Sequence, residues 1–193
     1  MKKSSILQIY HSKETVFTFK DISILWGETN LDLVKSRVNY FSKTGKLYPI
    51  RRGIYAKDKN YNELELATKI FTPSYISLET ILIKEGIIFQ HYKSIYAISY
   101  LSREIMCDKR KYIYKKIRND VLTNPLGLEK KESYFTATKE RAFLDALYLY
   151  RDYHFDNLKP INWKLCFEIL PIYENKSLGK RLNSYYKNYA GHK

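Results

Sequence analysis

The sequence predicts an α+β protein with two domains, and three features lead to that prediction. Apolar residues recur at three- and four-residue spacing, as in amphipathic helices, through much of the first 60 residues and again after residue 138. Between residues 87 and 134 this period fades, and segments rich in Tyr and Ile favour strands. A polar break at residues 58–60 separates the two regions. We therefore expect domains at residues 1–58 and 59–193, the second with a small, mostly antiparallel sheet and a buried central helix.

The first elements predict a helix-turn-helix. Helices are expected at residues 4–11 and 19–26, with a brief extended segment at residues 16–18 between them. The inward face of the second helix carries three apolar residues: Ile22, Leu25 and Trp26. Gly27 suits the left-handed conformation that ends many helices, and Asn30 suits the cap of the next helix.

The third helix, expected to begin after Asn30 and to be ended by Gly45, is predicted to have one apolar and one polar face. At 100° per residue, its core face carries Leu31, Val34, Val38 and Phe41. The opposite face carries Asp32, Ser36, Asn39 and Lys43, flanked by Lys35 and Tyr40, with Arg37 at the boundary near the core face. Short polar and basic side chains of this kind can reach base edges and phosphates in a DNA major groove. Asn39 is the best candidate for reading a base, and Ser36 is the second.

A two-stranded ribbon is expected directly after this helix. Strands at residues 47–50 and 54–56 flank Arg51, Arg52 and Gly53, and Pro49 limits the first strand to a sheet edge. Helix-turn-helix and ribbon together predict a winged helix-turn-helix that binds double-stranded DNA. The expected contacts are Lys35, Ser36, Asn39, Tyr40, Lys43, Arg51 and Arg52. Arginines at the turn suit phosphates or a narrow minor groove, although an Arg-Arg turn is also common on solvated surfaces.

The larger domain is expected to combine helices with a sheet. Helices are predicted at residues 62–71 and 78–85, the latter capped by Ser77 and ended by Gly86. Strands are predicted at residues 94–101, 110–117 and 133–136. A helix over residues 139–153, capped by Thr138, is apolar around most of its circumference and should form the buried centre. A further helix around residues 163–169 and a basic, tyrosine-rich one near residues 177–189 complete the chain.

Charge and composition indicate the kind of partner. The chain has a formal net charge of +14, and residues 1–60 carry 12 basic but only five acidic side chains. Such a field attracts polyanions, of which nucleic acid is the first candidate. The 19 tyrosines are spread through every segment, so packing at the edge of the core is favoured over an aromatic binding platform. Two cysteines without metal spacing, and no long apolar run, predict a cytoplasmic protein that does not enter the membrane.

Catalytic motifs are not evident, so we expect no enzyme activity, metal or cofactor. The four histidines have no metal-ligand spacing, and neither a P-loop nor a dinucleotide fingerprint is present. Glu140 and Asp145 on the central helix are the nearest approach to a nuclease carboxylate pair. The simpler interpretation is that Glu140 favours the helix N-terminus and Asp145 occupies the gap in the apolar circumference.

Three motifs resemble the AbiEi family of antitoxins, the winged-helix transcriptional regulators of AbiE-type (type IV) toxin–antitoxin pairs. They are Arg52-Gly53-Ile54-Tyr55, the segment 73–79 leading to Glu85-Gly86, and the segment 137–145; together they span roughly residues 1–153. The chain departs from the family in having Lys139 where proline is frequent and Thr80-Ile81 where small residues are found.

This resemblance implies an antitoxin that represses its own operon by binding inverted repeats in the operator, with cooperative pairing on DNA. It also implies functional pairing with a nucleotidyltransferase-like toxin, with or without a stable complex. An alternative is a basic protein- or RNA-binding interaction module that uses the winged helix only as a scaffold. That alternative is motivated by basic clusters outside the first 60 residues, such as residues 109–111 and Lys180-Arg181.

Overall fold

The chain has an α+β fold made of two compact units. The computed structural model describes residues 5–90 and 93–190. Residues up to Thr72, with residues 132–134, form the first unit, and residues 73–131 and those from Phe135 onward form the second. The expected boundary after Asp58 therefore falls inside the first unit. The helix that follows Asp58 belongs to that unit and not to the second.

The first unit contains helices and a small antiparallel sheet. Its elements are α1 (Ser5–His11), β1 (Val16–Thr18), α2 (Phe19–Trp26), α3 (Leu31–Lys43), β2 (Tyr48–Arg51), β3 (Ile54–Ala56) and α4 (Glu63–Ile70). The strand order is β1-β3-β2, and both strand pairs are antiparallel. Pro49 accordingly lies in an edge strand, as predicted, where its missing N–H costs the sheet little.

Local side chains set the ends of the first helices. The Thr18 hydroxyl accepts the Asp21 backbone N–H while the Asp21 carboxylate accepts the Thr18 N–H, a capping box that starts α2. Gly27 ends α2 with φ at 59°, in the left-handed region. The Asn30 side chain accepts the N–H groups of the next helix's first turn. The predicted boundaries of α2 and the predicted start of α3 are therefore confirmed.

The core of the first unit lies between these helices and the sheet. It buries Ile6, Ile9, Phe17, Ile22, Val34, Val38 and Leu47, with Leu25, Trp26 and Phe41 packed against it. The prediction that Leu31 belongs to this core is wrong, because its side chain is 58% exposed. Leu31 is the first residue of α3, where the helix has not yet reached the core.

Polar contacts attach α4 to the rest of the first unit. The buried Glu65 carboxylate accepts the backbone N–H of Thr15 at 3.0 Å and that of Val16 at 3.2 Å. Lys69 lies 2.7 Å from the carboxylate of Asp21. On the apolar side, α4 buries Leu66 and Ala67, whereas Leu64 and Ile70 are only partly buried. These contacts explain why the compact unit extends past Asp58.

The second unit has a six-stranded sheet and, within the described residues, five α-helices. Its elements are β4 (Ser74–Ile76), α5 (Glu79–Lys84), β5 (Ile95–Ser99), β6 (Arg103–Cys107), β7 (Arg110–Lys116), α6 (Asn119–Thr123), β8 (Leu128–Lys130), β9 (Phe135–Ala137), α7 (Lys139–Leu149), α8 (Trp163–Ile169), a 3₁₀ turn at Leu170–Tyr173 and α9 (Lys176–Ala190). The strand order is β6-β7-β5-β4-β9-β8. Three of the strand pairs are antiparallel and two, β5 with β7 and β4 with β9, are parallel. The sheet is mixed, and β4, β6 and β8 were not predicted as strands.

Helix α7 is the buried centre of the second unit, as predicted. All eight residues from Glu140 to Leu147 are buried. The helix ends at Leu149 and not at residue 153, because Tyr150 has extended backbone angles. Thr138 caps it as expected, its hydroxyl accepting the backbone N–H of Arg141.

A buried ionic network lies on one side of α7 and corrects two predictions. Asp145 does not occupy an open gap: it is fully buried and accepts hydroxyl hydrogen bonds from Tyr75, Ser77 and Tyr173. Ser77 therefore does not cap α5, for which no side-chain cap is formed. The fully buried Arg141 donates to the carbonyl oxygens of Leu126 and Val121, each at 2.7 Å, and its Nε lies 3.4 Å from Asp145.

Candidate nucleic-acid interface

The outward face of α3 carries five of the seven predicted contact residues. Val34 and Val38 point into the core of the first unit with 0% and 1% exposure, which fixes the rotation of the helix. The face turned away from them consists of exposed side chains: Lys35, Ser36, Asn39, Tyr40 and Lys43. This face runs along α3 from Lys35 to Lys43. It presents two cations, an amide and two hydroxyl groups.

Arg37 lies at the edge of this face, beside the turn between α2 and α3. Its side chain is 43% exposed, and its guanidinium lies 3.6 Å from the carboxylate of Glu28 in the turn between α2 and α3. Glu28 also accepts the backbone N–H of Asn30. Exposed pairs of this kind contribute at most about 1 kcal/mol to stability. The contact nonetheless directs the Arg37 guanidinium toward Glu28 in the turn, so we leave Arg37 out of the candidate interface.

The turn between β2 and β3 holds the other two predicted contacts. Arg51 and Arg52 are exposed, and Gly53 has φ at 78°, a left-handed conformation that favours glycine. The Gly53 carbonyl accepts the backbone N–H of Phe19 at 2.9 Å. This bond ties the turn to the first residue of α2, so the two arginines are carried on an anchored backbone.

The segment from α3 to β3 has a strongly basic surface. Between Leu31 and Ala56 the sequence holds six basic residues and one acidic residue, Asp32. One of the six, Lys46, is exposed in the connection between α3 and β2 and was not predicted as a contact. Its charge was the only signal in the sequence, because the residue lies outside the periodic part of the helix. We add Lys46 to the candidate phosphate contacts.

The two carboxylates of α7, Glu140 and Asp145, lie within the second unit. Asp145 has no exposed surface, and burial raises the pKa of its carboxyl against the lowering effects of Arg141 and the hydroxyl donors. Burial likewise raises the pKa of Tyr75 and of Tyr173, which keeps both phenols protonated as donors. Glu140 accepts the backbone N–H of Asn162. Hydrogen bonds within the fold account for the position of each of these groups, and Glu140 and Asp145 have separate partners.

Among residues 5–90 and 93–190, no group of three or more His, Cys, Asp or Glu side chains is arranged to hold a metal ion. In the same part of the chain, no helix has the length and apolar character needed to cross a membrane. His91 and His192 lie outside the described residues. Comparison of the sequence with protein-family models and with curated proteins found no match.

Proposed function

We propose that this protein is a DNA-binding transcriptional regulator whose first unit is a winged helix-turn-helix. The observation that carries the proposal is the exposed polar and basic face of α3, directly followed by the β2–β3 turn with its two arginines. The order α1-β1-α2-α3-β2-β3, with β1 completing the sheet of the ribbon, supports the winged-helix assignment.

In this proposal α3 is the recognition helix and enters the major groove. A B-DNA major groove admits one α-helix, and the side chains on its groove face meet base edges while the flanking side chains meet phosphates. Asn39 lies on the face opposite the core, where its amide can pair with an adenine edge in two hydrogen bonds. Ser36 and Tyr40 supply hydroxyls to the same groove. Lys35, Lys43 and Lys46 contact the phosphates that border it.

The β2–β3 turn is the wing. Arg51 and Arg52 contact phosphates or enter the minor groove next to the site read by α3. Cooperative pairing on an inverted repeat would place two α3 helices about one helical turn of DNA apart, about 34–36 Å. Phosphate contacts by Arg51 and Arg52 would increase the dependence of DNA affinity on salt, because every neutralised phosphate releases counterions.

We further propose that the regulator is an antitoxin that represses its own operon and counteracts a nucleotidyltransferase-like toxin. This part rests on the resemblance of three sequence motifs to the AbiEi family. One of those motifs, residues 137–145, contains the buried pair Arg141 and Asp145, and another contains Tyr75 and Ser77, which donate to Asp145. Two of the motifs thus meet in one network, which gives them a common structural role in the second unit. Co-expression of this chain with the product of the adjoining reading frame tests the antitoxin role, which requires rescue of growth.

Asn39→Ala tests base reading by α3. A preferred duplex is first selected from random sequences with the unaltered chain. The substitution should then weaken binding to that duplex by about 5- to 150-fold, equivalent to the 1–3 kcal/mol that a good bidentate base contact contributes. Affinity for unselected duplex should stay within about twofold, because phosphate contacts remain. Fluorescence anisotropy with both duplexes measures the two affinities.

The matched control is Asn183→Ala, the same change at an exposed position of α9 in the second unit. This variant should bind both duplexes as the unaltered chain does. An equal loss on selected and unselected DNA for Asn39→Ala would contradict a base-reading role. Duplex binding that survives neutralisation of Lys35, Lys43, Arg51 and Arg52 together would instead favour the alternative, in which the winged helix is only a scaffold.

A further inference from the structure

A second candidate binding site lies in the second unit, where α8 and α9 border an open cleft. The cleft has a volume of about 590 Å³ and is lined by residues 159–164 together with Tyr186 and Tyr189. We call it the aromatic cleft. Its size falls within the range of small-ligand sites in proteins, about 300–1,000 Å³.

Aromatic rings form one side of the aromatic cleft. The ring centroid of Trp163 lies 5.5 Å from that of Tyr186 and 5.4 Å from that of Tyr189. Tyr186 also packs edge-on against Phe167, yet 41% of its surface is exposed. These rings are held by neighbouring rings and do not need to be ordered by a ligand. They present a preformed apolar surface against which a flat group can stack.

Positive charge borders the aromatic cleft. Lys159 and Lys164 line it and are exposed, and no acidic residue is among the residues that line it. Glu168 lies 4.0 Å from Lys164, in an exposed pair that holds the lysine weakly. Helix α9, which contributes Tyr186 and Tyr189 to the cleft, carries four basic residues and no acidic one along its length. The charge therefore favours an anionic ligand, and the rings favour one with flat aromatic groups.

We propose that the aromatic cleft binds single-stranded nucleic acid. An unpaired base stacks against the rings of Tyr186, Trp163 and Tyr189. The phosphates on either side of that base lie at Lys159 and Lys164. Proteins that bind single strands combine these two features, aromatic rings for the bases and a basic groove for the backbone. A duplex lacks the exposed base faces that the rings require. The site is separate from the proposed duplex-binding surface of the first unit and adds a second nucleic-acid activity to the chain.

Trp163 fluorescence provides a local test on the full chain. The sequence contains two tryptophans, Trp26 and Trp163, so Trp26→Phe leaves Trp163 as the reporter. Titration with an eight-nucleotide single-stranded RNA, and with DNA of the same sequence, should quench this fluorescence to saturation. The strand that binds more tightly identifies the ligand class. A blunt duplex of the same length should quench weakly or not at all.

Substitutions then separate stacking from general electrostatic attraction. Tyr186→Ala should weaken binding of the single strand by about 5- to 150-fold, the range for removing the aromatic partner of a stacked base. Tyr186→Phe should stay within about twofold of the starting affinity, since the ring remains. Lys164→Gln should lower the affinity and reduce the salt slope by about 0.7, the value for one phosphate contact on a single strand. Lys176→Gln, an exposed lysine of α9 that does not line the cleft, should change neither quantity.

Several outcomes would overturn the proposal. Absence of quenching by both strands is one, and equal weakening by Lys164→Gln and Lys176→Gln is another, because it would indicate unspecific attraction. Equal quenching by a poly-glutamate peptide would indicate an acidic protein as the ligand instead. Because Trp163 reports only on the second unit, any of these results leaves the proposed duplex binding by α3 and the wing untouched.

Discussion

Asp145→Ala is expected to lower the free energy of unfolding of the second unit by about 3–5 kcal/mol, the cost of leaving a buried charge without its partner. Arg141 is fully buried, and its guanidinium lies against the Asp145 carboxylate. The substitution also removes the acceptor for the hydroxyls of Tyr75, Ser77 and Tyr173. Each of these donors becomes unsatisfied away from water, which adds to the loss.

Urea denaturation of the Trp26→Phe chain measures this effect, since Trp163 then reports on the second unit. The midpoint should fall strongly with little change in the slope m. Asp152→Ala, at an exposed position just after α7, is the matched control and should lie within about 0.5 kcal/mol of the starting chain. An unchanged midpoint for Asp145→Ala would show that the network does not stabilise the unit.

The double substitution Arg51→Ala with Arg52→Ala should weaken binding to every duplex, selected or unselected. Each phosphate contact contributes about 0.9 to the slope of log affinity against log salt, so the slope should fall by about 1.8. At 0.15 M salt this corresponds to an affinity about 20- to 30-fold lower for selected and unselected duplexes alike. The backbone of the turn should be preserved, because Gly53 and its hydrogen bond to Phe19 are unchanged.

Affinity measured at four or more salt concentrations tests this prediction. Arg103→Ala with Arg151→Ala is the matched control, since both arginines are exposed in the second unit. That variant loses the same formal charge. Comparing the two variants therefore separates the effect of where the arginines lie from the effect of the chain's net charge. If the two double variants have equal slopes of log affinity against log salt, the wing does not contact DNA.

Local signals explain which parts of the fold were predictable. Gly27 and Asn30 encode the end of α2 and the start of α3 through contacts within a few residues, so the position of the proposed recognition helix follows from the sequence. The outward direction of Asn39 follows as well, because Val34 and Val38 define the opposite face. Leu31 was misplaced because helical period alone does not show where the core begins.

Contacts between distant residues account for what was missed. The donors to Asp145 lie 28–70 residues away in the chain, so neither its burial nor the role of Ser77 could be read from helical period. The burial of Glu65 was not predictable for the same reason, because the backbone N–H groups that donate to it lie 49 and 50 residues away in the chain. The three-residue strand β4 is defined mainly by its pairing with β5 and β9. The aromatic cleft likewise depends on α8 and α9 packing together.

Backbone amide NMR of the full 23.1 kDa chain, titrated with its selected duplex, tests the central claim most directly. The account predicts saturable shifts concentrated in α3 and in the β2–β3 turn, with the largest changes near Asn39 and Arg52. Amides of the second unit should shift little with duplex. Shifts confined to the second unit, or no shifts at duplex concentrations that bind half of the protein in anisotropy, would contradict DNA recognition by the first unit.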